Sequence, residues 1–506
     1  MNTSAPVLAV RRPWFWILFA VISAACGALA WRMFPVAFPV LSLDIRMDRA
    51  GAIRTARQLA AENKWGPGIA ARDAASFGVN SQAQAFVELE GGGKKVFASL
   101  LREGLYAPYS WQVRLFREGE TNQTTVRFRP DGEPYGFVET LRERAPGASL
   151  ASEPAREIAE RAARGGPWRL ALERFNLVES SQVARPGGRV DHTFVYERPD
   201  RQLGGEGRLR LRLVVGGAGL IELPHFIKIP EGFTRRYEQM RSTNNAISGG
   251  ASGAMLLLYG IGGCGVGIFV LLRSHAVLWR QALACAGMFA VLQLLAGYNA
   301  WPLAWLNYDT ALSGRGFIVE QQVRLITGSL AMGVVFFLSF VAAEGLTRRA
   351  FPGHPQFWRL WSAPAGAATP VLGRTLAGFL FAPLSLLYVL VFYFFAARWL
   401  GWWTPMEALV EPNLLAHFWP WLTPLTRSMQ AGFWEEMLFR AVPLAGAALL
   451  GERFGGRRWW IGAALVVQAV IFAGAHANYP GQPGYSRLVE LIIPSLIFGG
   501  LYLRLG

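Results

Sequence analysis

Three ionisable side chains, Glu435, Glu436 and Arg440, stand in the run Gly432-Phe433-Trp434-Glu435-Glu436-Met437-Leu438-Phe439-Arg440, inside an otherwise apolar stretch from Ser428 to Leu450. On insertion scales a charge near the middle of a bilayer costs about 2.5–3.5 kcal/mol, so three in one span persist only if they pair or do chemistry. Glu436 and Arg440 are four residues apart, which on a helix places them on one side and predicts a self-neutralised, supporting pair. Glu435 projects about 100° away and is left free to act as a general base or acid in hydrolysis. The next apolar run, Phe472-Ala473-Gly474-Ala475-His476, ends in a histidine, with Asn478 two residues on. A lone histidine on an apolar face is ordinarily a packed core residue; following a Glu-Glu helix, it is a candidate partner for Glu435.

The elements that must position these residues are membrane helices. Of the 506 residues 52% are hydrophobic, with 19 Trp and 33 Phe, and the apolar content lies in runs long enough to cross a bilayer. Of 34 acidic residues, 25 fall between Trp31 and Ala246, leaving nine elsewhere, two of them Glu435 and Glu436. Spans are expected near residues 14–30, 251–272, 277–296, 325–343, 376–397, 426–450, 459–477 and 488–505, about eight in all. The net charge of +16 comes from dispersed Lys and Arg that flank these spans, so membrane orientation explains it and nucleic acid is not an expected partner. With the N-terminus inside, Arg273, Arg280, Arg348, Arg349, Arg359, Arg374, Arg453, Arg457 and Arg458 are cytoplasmic, against Arg315, Arg324 and Arg398 on the other side. The lipid bilayer is therefore a partner, and a bacterial inner (plasma) membrane the expected location.

Arg11 and Arg12 precede the first apolar segment, which reads as a signal anchor over residues 1–31; Ala28-Leu29-Ala30 leaves a cleavable signal peptide as the alternative. Cys26, Cys264 and Cys285 all fall in apolar spans, so the polar part has neither a disulfide framework nor a CxxC metal site. That polar part, residues 32–246, reads as an extracytoplasmic α+β domain with a duplication, units 45–140 and 150–235. Ala56-Arg57-Gln58-Leu59-Ala60 recurs as Ala155-Arg156-Glu157-Ile158-Ala159 on amphipathic helices, each followed by a tryptophan, Trp65 or Trp168. Alternating strands follow each helix, at residues 111–116 and 125–129, then 192–197 and 208–215, with Asp131-Gly132 and Gly216-Gly217 as turns. The pattern resembles the PepSY-type modules of bacterial envelope proteins. Residues 247–375 then supply membrane spans, and 376–506 the segment holding the charged trio.

Glu435-Glu436-x-x-x-Arg440 followed by Phe472-x-x-x-His476 resembles the EExxxR and FxxxH motifs of the CAAX-protease and bacteriocin-processing family of intramembrane endopeptidases, over roughly residues 375–506. The resemblance implies that Glu435 activates a water molecule, that His476 holds and polarises it, and that Glu436, Arg440 and Phe472 support the site, with Asn478 a further candidate. The substrate implied is a membrane-associated protein or peptide. A third family motif, His followed four residues later by Asn or Asp, is absent before Gly506, so the protease core is expected to be C-terminally incomplete. The cofactor stays open between a divalent metal such as zinc, held by Glu435 and His476, and none; one Glu and one His fall short of the three protein ligands of a catalytic zinc.

Other features read as structural. No HExxH occurs. His192 and His225 fall on expected strands, His275 and His354 in basic loops, and His417 beside an aromatic belt at a membrane interface. The run Gly260 to Gly267 lacks a following Lys-Ser/Thr and reads as close helix packing rather than phosphate binding. A non-catalytic transporter, sensor or immunity/assembly protein using the same buried charges is the alternative to a protease. The polar domain is expected to recruit or gate substrate.

Overall fold

The computed structural model describes residues 12–38, 43–68, 71–103, 106–405 and 411–506, without the side chains of 360 and 361. Arg11 lies outside the described residues. Two bodies of secondary structure share one helix.

The first is an antiparallel sheet. Helix α2 (Arg49–Asn63) leads to β1 (Arg72–Val79), then α3 (Ser81–Leu89), α4 (Gly93–Glu103), β2 (Tyr109–Phe116), β3 (Gln123–Phe128) and β4 (Pro134–Thr140). Helix α5 (Ser152–Arg164) opens the second half, followed by β5 (Asn176–Ala184), β6 (Val190–Leu203), β7 (Gly207–Gly216), β8 (Gly219–Glu222) and β9 (His225–Lys228). The strand order is β1-β2-β3-β4-β8-β7-β6-β5, with β9 on β7. The first half has four strands, with α3 and α4 between β1 and β2, and the second has five; the halves meet where β4 pairs with β8.

Alternation explains which face is buried. On β2 Trp111, Val113 and Leu115 point inward, and on β7 Leu209, Leu211, Leu213 and Val215 do. Ala52, Ala56 and Ala60 of α2, and Ala155, Ala159 and Ala163 of α5, recur every four residues and are buried, so each helix lies close on the sheet. Asp48 caps α2 by accepting from the Gly51 N–H at 2.7 Å. Trp65 and Trp168, which close the two helices, both stack on Phe137 of β4, with ring centroids 4.0 and 5.2 Å away.

The second body is a helical bundle. Among the described residues seven helices are long and apolar enough to cross a membrane: α1 (Pro13–Ala37), Glu231–Arg273, Trp279–Asn299, Gly314–Ala350, Thr369–Trp399, Arg457–Ala475 and Ser486–Leu505. Their outward faces carry Leu257, Ile261, Val319, Val323, Leu330 and Phe379 among many exposed apolar residues, a surface that suits lipid. The chain is a polytopic helical membrane protein with an inserted sheet region.

The expected span 426–450 differs from the other seven. Residues 422–454 are continuously helical, but as Leu422–Glu435, a π-helical Glu436–Ala441, and Val442–Phe454. The three charges keep it from the apolarity of its neighbours, while Met437, Leu438, Phe439, Ala441 and Val442 bury it within the bundle core. We call it the Glu helix, and Arg457–Ala475 the His helix.

Helix α6 (Glu231–Arg273) begins against the sheet and runs into the bundle as one 43-residue element, so the two bodies share an axis without a linker. Its Gly260–Gly267 stretch is where it approaches the Glu helix. A Cβ on Gly263 would come within 2.2 Å of Val442 Cγ1.

Candidate active site

Equal helical arms bring the two motifs together. Gly455 and Gly456, at φ +84° and +74°, form the tight turn between the Glu helix and the His helix. Glu435 precedes Gly455 by 20 residues, and His476 follows Gly456 by 20. At 1.5 Å per residue each arm is about 30 Å long, so both side chains reach the same level near the sheet-facing end of the bundle. Glu435 Oε1 and His476 Nε2 lie 3.7 Å apart, and each side chain is 28% exposed.

The histidine is held by its own helix. Its Nδ1 is 2.7 Å from the carbonyl of Phe472. A carbonyl only accepts, so Nδ1 carries a proton, and Nε2 is the ring nitrogen that faces Glu435. Phe472 acts a second time through its ring, which is 4.5 Å from the imidazole and lies 4.2 Å beneath the Arg440 guanidinium. Phe439 packs edge-on against it at 5.1 Å. The Phe-x-x-x-His spacing therefore places one aromatic ring between the histidine and the arginine.

Arg440 does not do what its spacing predicted. Among the described residues it forms no ion pair with Glu436; its Nη1 instead donates to the main-chain oxygen of Glu435 at 3.3 Å. The π-turn over Glu436–Ala441 is the cause, because it brings position i+5 rather than i+4 above position i. The positive charge stays beside both carboxylates without closing on either. Arg440 is 3% exposed, and its Nε, the Tyr259 hydroxyl and the Trp434 indole N–H are all buried without a hydrogen-bond partner. Tyr259 belongs to a second π-helical stretch, Leu256–Val266 of α6, and its ring meets Phe439 edge-on at 6.0 Å. Nothing in its sequence neighbourhood marked it; only the packing of α6 does.

Asn478 enters through its main chain. Its carbonyl accepts from Arg241 Nη2 of α6 at 2.7 Å, and the residue is exposed. His417 is not at a lipid-facing interface. It is 4% exposed, and its Nδ1 is 2.9 Å from Thr423 Oγ1 at the start of the Glu helix. Burial lowers its pKa from the usual histidine value. Neighbouring Ala416 belongs to the core shared with the sheet, and Arg49 lies over Phe418 at 5.2 Å. The junction with the sheet covers His417, which is why an aromatic neighbourhood misread as a membrane belt.

Sequence reasoning also passed over polar groups that brace the site. Asn299 is fully buried; it donates to the Trp419 carbonyl and to Thr423 Oγ1, both at 2.8 Å, and so ties down the approach to the Glu helix. Gln468 of the His helix and Ser495 of the last helix are joined by two hydrogen bonds of 3.0 Å. Arg487 pairs with buried Glu490 at 2.6 Å and also donates to the Tyr393 hydroxyl at 3.1 Å. The Arg487-x-x-Glu490 spacing was visible in the sequence.

Zinc does not fit this donor set. Among the described residues no three of His, Cys, Asp and Glu converge to hold a metal ion. Glu435 and His476 offer two ligands where a catalytic zinc takes three.

Residues 417–506 match a protein family described as Type II CAAX prenyl endopeptidase Rce1-like. This part of the chain is thus similar to the CAAX-protease family. The match contains Glu435, Glu436, Arg440, Phe472 and His476, and it leaves the sheet region unassigned. No curated protein and no solved structure matches the chain.

Proposed function

We propose that the chain is an intramembrane endopeptidase that hydrolyses a peptide bond in a membrane-associated protein or peptide, with Glu435 and His476 activating the water. The observation that carries this reading is the 3.7 Å approach of Glu435 Oε1 to His476 Nε2, with both side chains partly accessible. A water donating one hydrogen to Glu435 and the other to Nε2 has its oxygen lone pair free for a substrate carbonyl. As the bond to carbon forms, Glu435 takes the proton; it returns that proton to the leaving amine when the C–N bond breaks. The tetrahedral oxyanion needs donors, and among the described residues Arg440 Nε, the Tyr259 hydroxyl and the Trp434 indole N–H are buried near the trio without a partner. Glu436 and Arg440 set the local field, and Phe472 fixes the imidazole.

In this reading the Glu helix is the eighth span and α1 a retained anchor. Gly27 of α1 faces Pro383 of helix Thr369–Trp399, which favours an anchor that packs with the bundle. The charge bias places the N-terminus in the cytoplasm of a bacterial cell and the sheet outside the inner membrane. The two halves, each opened by a helix, are read as a PepSY-like duplication, supported by the order of β1 to β8, which mirrors itself about the β4–β8 pair. Glu435→Gln keeps the shape of the side chain and removes the base. Purified in detergent, this variant should bind a quenched-fluorescence membrane-proximal peptide and fail to cleave it. Cleavage at the wild-type rate would remove Glu435 from the mechanism.

A further inference from the structure

His476 lies one residue past the end of its helix, so its own helix does not fix the loop that follows. That loop, residues 477–485, is held almost entirely from outside. Ser248 Oγ of α6 donates to the Ala475 carbonyl at 2.8 Å, and Arg241 Nη2 to the Asn478 carbonyl at 2.7 Å. Asn244 Nδ2, fully within the interface, donates to the carbonyls of Gly484 and Gly481 at 3.0 and 3.4 Å. Residues 241, 244 and 248 share one face of α6, which is why a single helix can take the carbonyl of Ala475 at the end of the His helix and those of Asn478, Gly481 and Gly484 in the loop. From the other side Trp403 and Gln482 exchange both main-chain hydrogen bonds, at 2.8 and 3.0 Å.

Both supports lead back to one helix of the sheet domain. The first turns of α6 dock on α3: Phe233 meets Phe86 edge-on at 5.1 Å, Gln82 Nε2 donates to Thr234 Oγ1 at 3.2 Å, and Arg236 pairs with Glu90 at 2.7 Å. The second support reaches α3 directly, because the Trp403 indole N–H donates to Glu88 Oε2 at 2.8 Å. Glu88 and Trp403 are only 6% and 7% exposed, so this charge-assisted bond is shielded from competing water. Glu88 Oε1 also accepts from Gln84 Nε2 at 2.7 Å, and the Tyr109 hydroxyl of β2 donates to Gln84 Oε1 at 3.2 Å, so the carboxylate joins Trp403 to the core of the sheet. Its geometry makes sense as a strut between the two bodies.

We infer that the sheet domain is a positioning device for the reaction. Helix α3 is the abutment, and Arg241, Asn244, Ser248 and the Glu88–Trp403–Gln482 relay hold the His476 loop at its working distance from Glu435. The inference rests on the endopeptidase reading for its catalytic meaning and on the hydrogen bonds above for its mechanical one. It deepens the expected gating role of the polar domain by naming the contacts that would exert it.

The test uses the full chain in proteoliposomes with Trp403→Phe, which keeps the ring and removes the donor, and Asn244→Ala, which releases the loop from the α6 side. Hydrogen exchange of the amides in 475–486, read by mass spectrometry, should accelerate about tenfold in each, since each variant removes bonds of typical net strength. Cleavage of a membrane-proximal peptide should fall about tenfold in kcat with KM unchanged, because the histidine is displaced while substrate still binds. Thr327→Ala, whose hydroxyl bonds only within its own helix, should change neither. Unchanged exchange in both variants overturns the positioning inference. Faster exchange in a chain whose wild type cleaves no peptide upholds the mechanical coupling and removes the endopeptidase reading instead. Should Trp403→Phe fail to fold, Asn244→Ala carries the same comparison alone.

Discussion

If Glu435 and His476 act on one water, their loss should not be additive. Glu435→Gln leaves Nε2 facing an amide, and His476→Ala leaves Glu435 without the group 3.7 Å away that orients the water. General acid–base groups typically contribute about 10²- to 10⁴-fold, or roughly 2.7–5.5 kcal/mol at 1.36 kcal/mol per decade. Independent roles would make the double variant lose the sum of the two effects, about 5–11 kcal/mol. A shared water predicts instead that the double variant costs about as much as the worse single one, as with other residues that act as a unit. The coupling expected is therefore about as large as the smaller single effect. The assay is kcat/KM on a fluorogenic membrane-proximal peptide for the wild type, the two single variants and the double, at one pH and in one lipid. Circular dichroism and gel filtration show whether each variant keeps its helices. Multiplicative losses within a factor of about three would refute the shared water, whatever the size of either single effect.

Three further outcomes follow from the packing. Tyr259→Phe removes a buried hydroxyl that has no partner, so thermal stability in detergent should hold or rise slightly, while kcat falls at least about tenfold if the hydroxyl serves the oxyanion. Gly263→Val should place methyl groups into Val442, with even its Cβ at 2.2 Å, and lower the stability of the bundle by about 1–3 kcal/mol in a thermal melt. The sheet domain should be acid-sensitive because burial lowers the pKa of His225 from 6.5 to about 4. The folded state binds the proton less readily than the unfolded one, so stability is full above pH 6.5 and falls as the pH drops towards 4. The loss is at most about 3 kcal/mol, and His225→Gln should flatten that limb of a pH–stability curve measured by denaturant unfolding.

Much of this protein was legible because its chemistry is locally coded. Apolar runs near 20 residues can hardly be anything but membrane helices, and Ala56 with Ala60, like Ala155 with Ala159, do face the sheet in the helices their period implied. The partnership of Glu435 and His476 was also implicit, since the Gly455-Gly456 turn stands midway between them. The Glu436–Arg440 pair was misread because helical spacing assumes an α-helix. The π-turn over Glu436–Ala441 changes which positions lie above one another, and no i, i+4 rule contains it.

Residue type and spacing thus determined the membrane class and the two motifs that carry Glu435 and His476, because each depends on neighbours within a few turns of chain. Tertiary structure alone decided where Arg440 directs its charge, why His417 is buried, and what holds the loop after His476. Glu88, Ser248 and Trp403 lie more than 70 residues from Gln482 in sequence and reach that loop only after the sheet has docked on the bundle. Such contacts close through space, and a linear pattern carries no record of them.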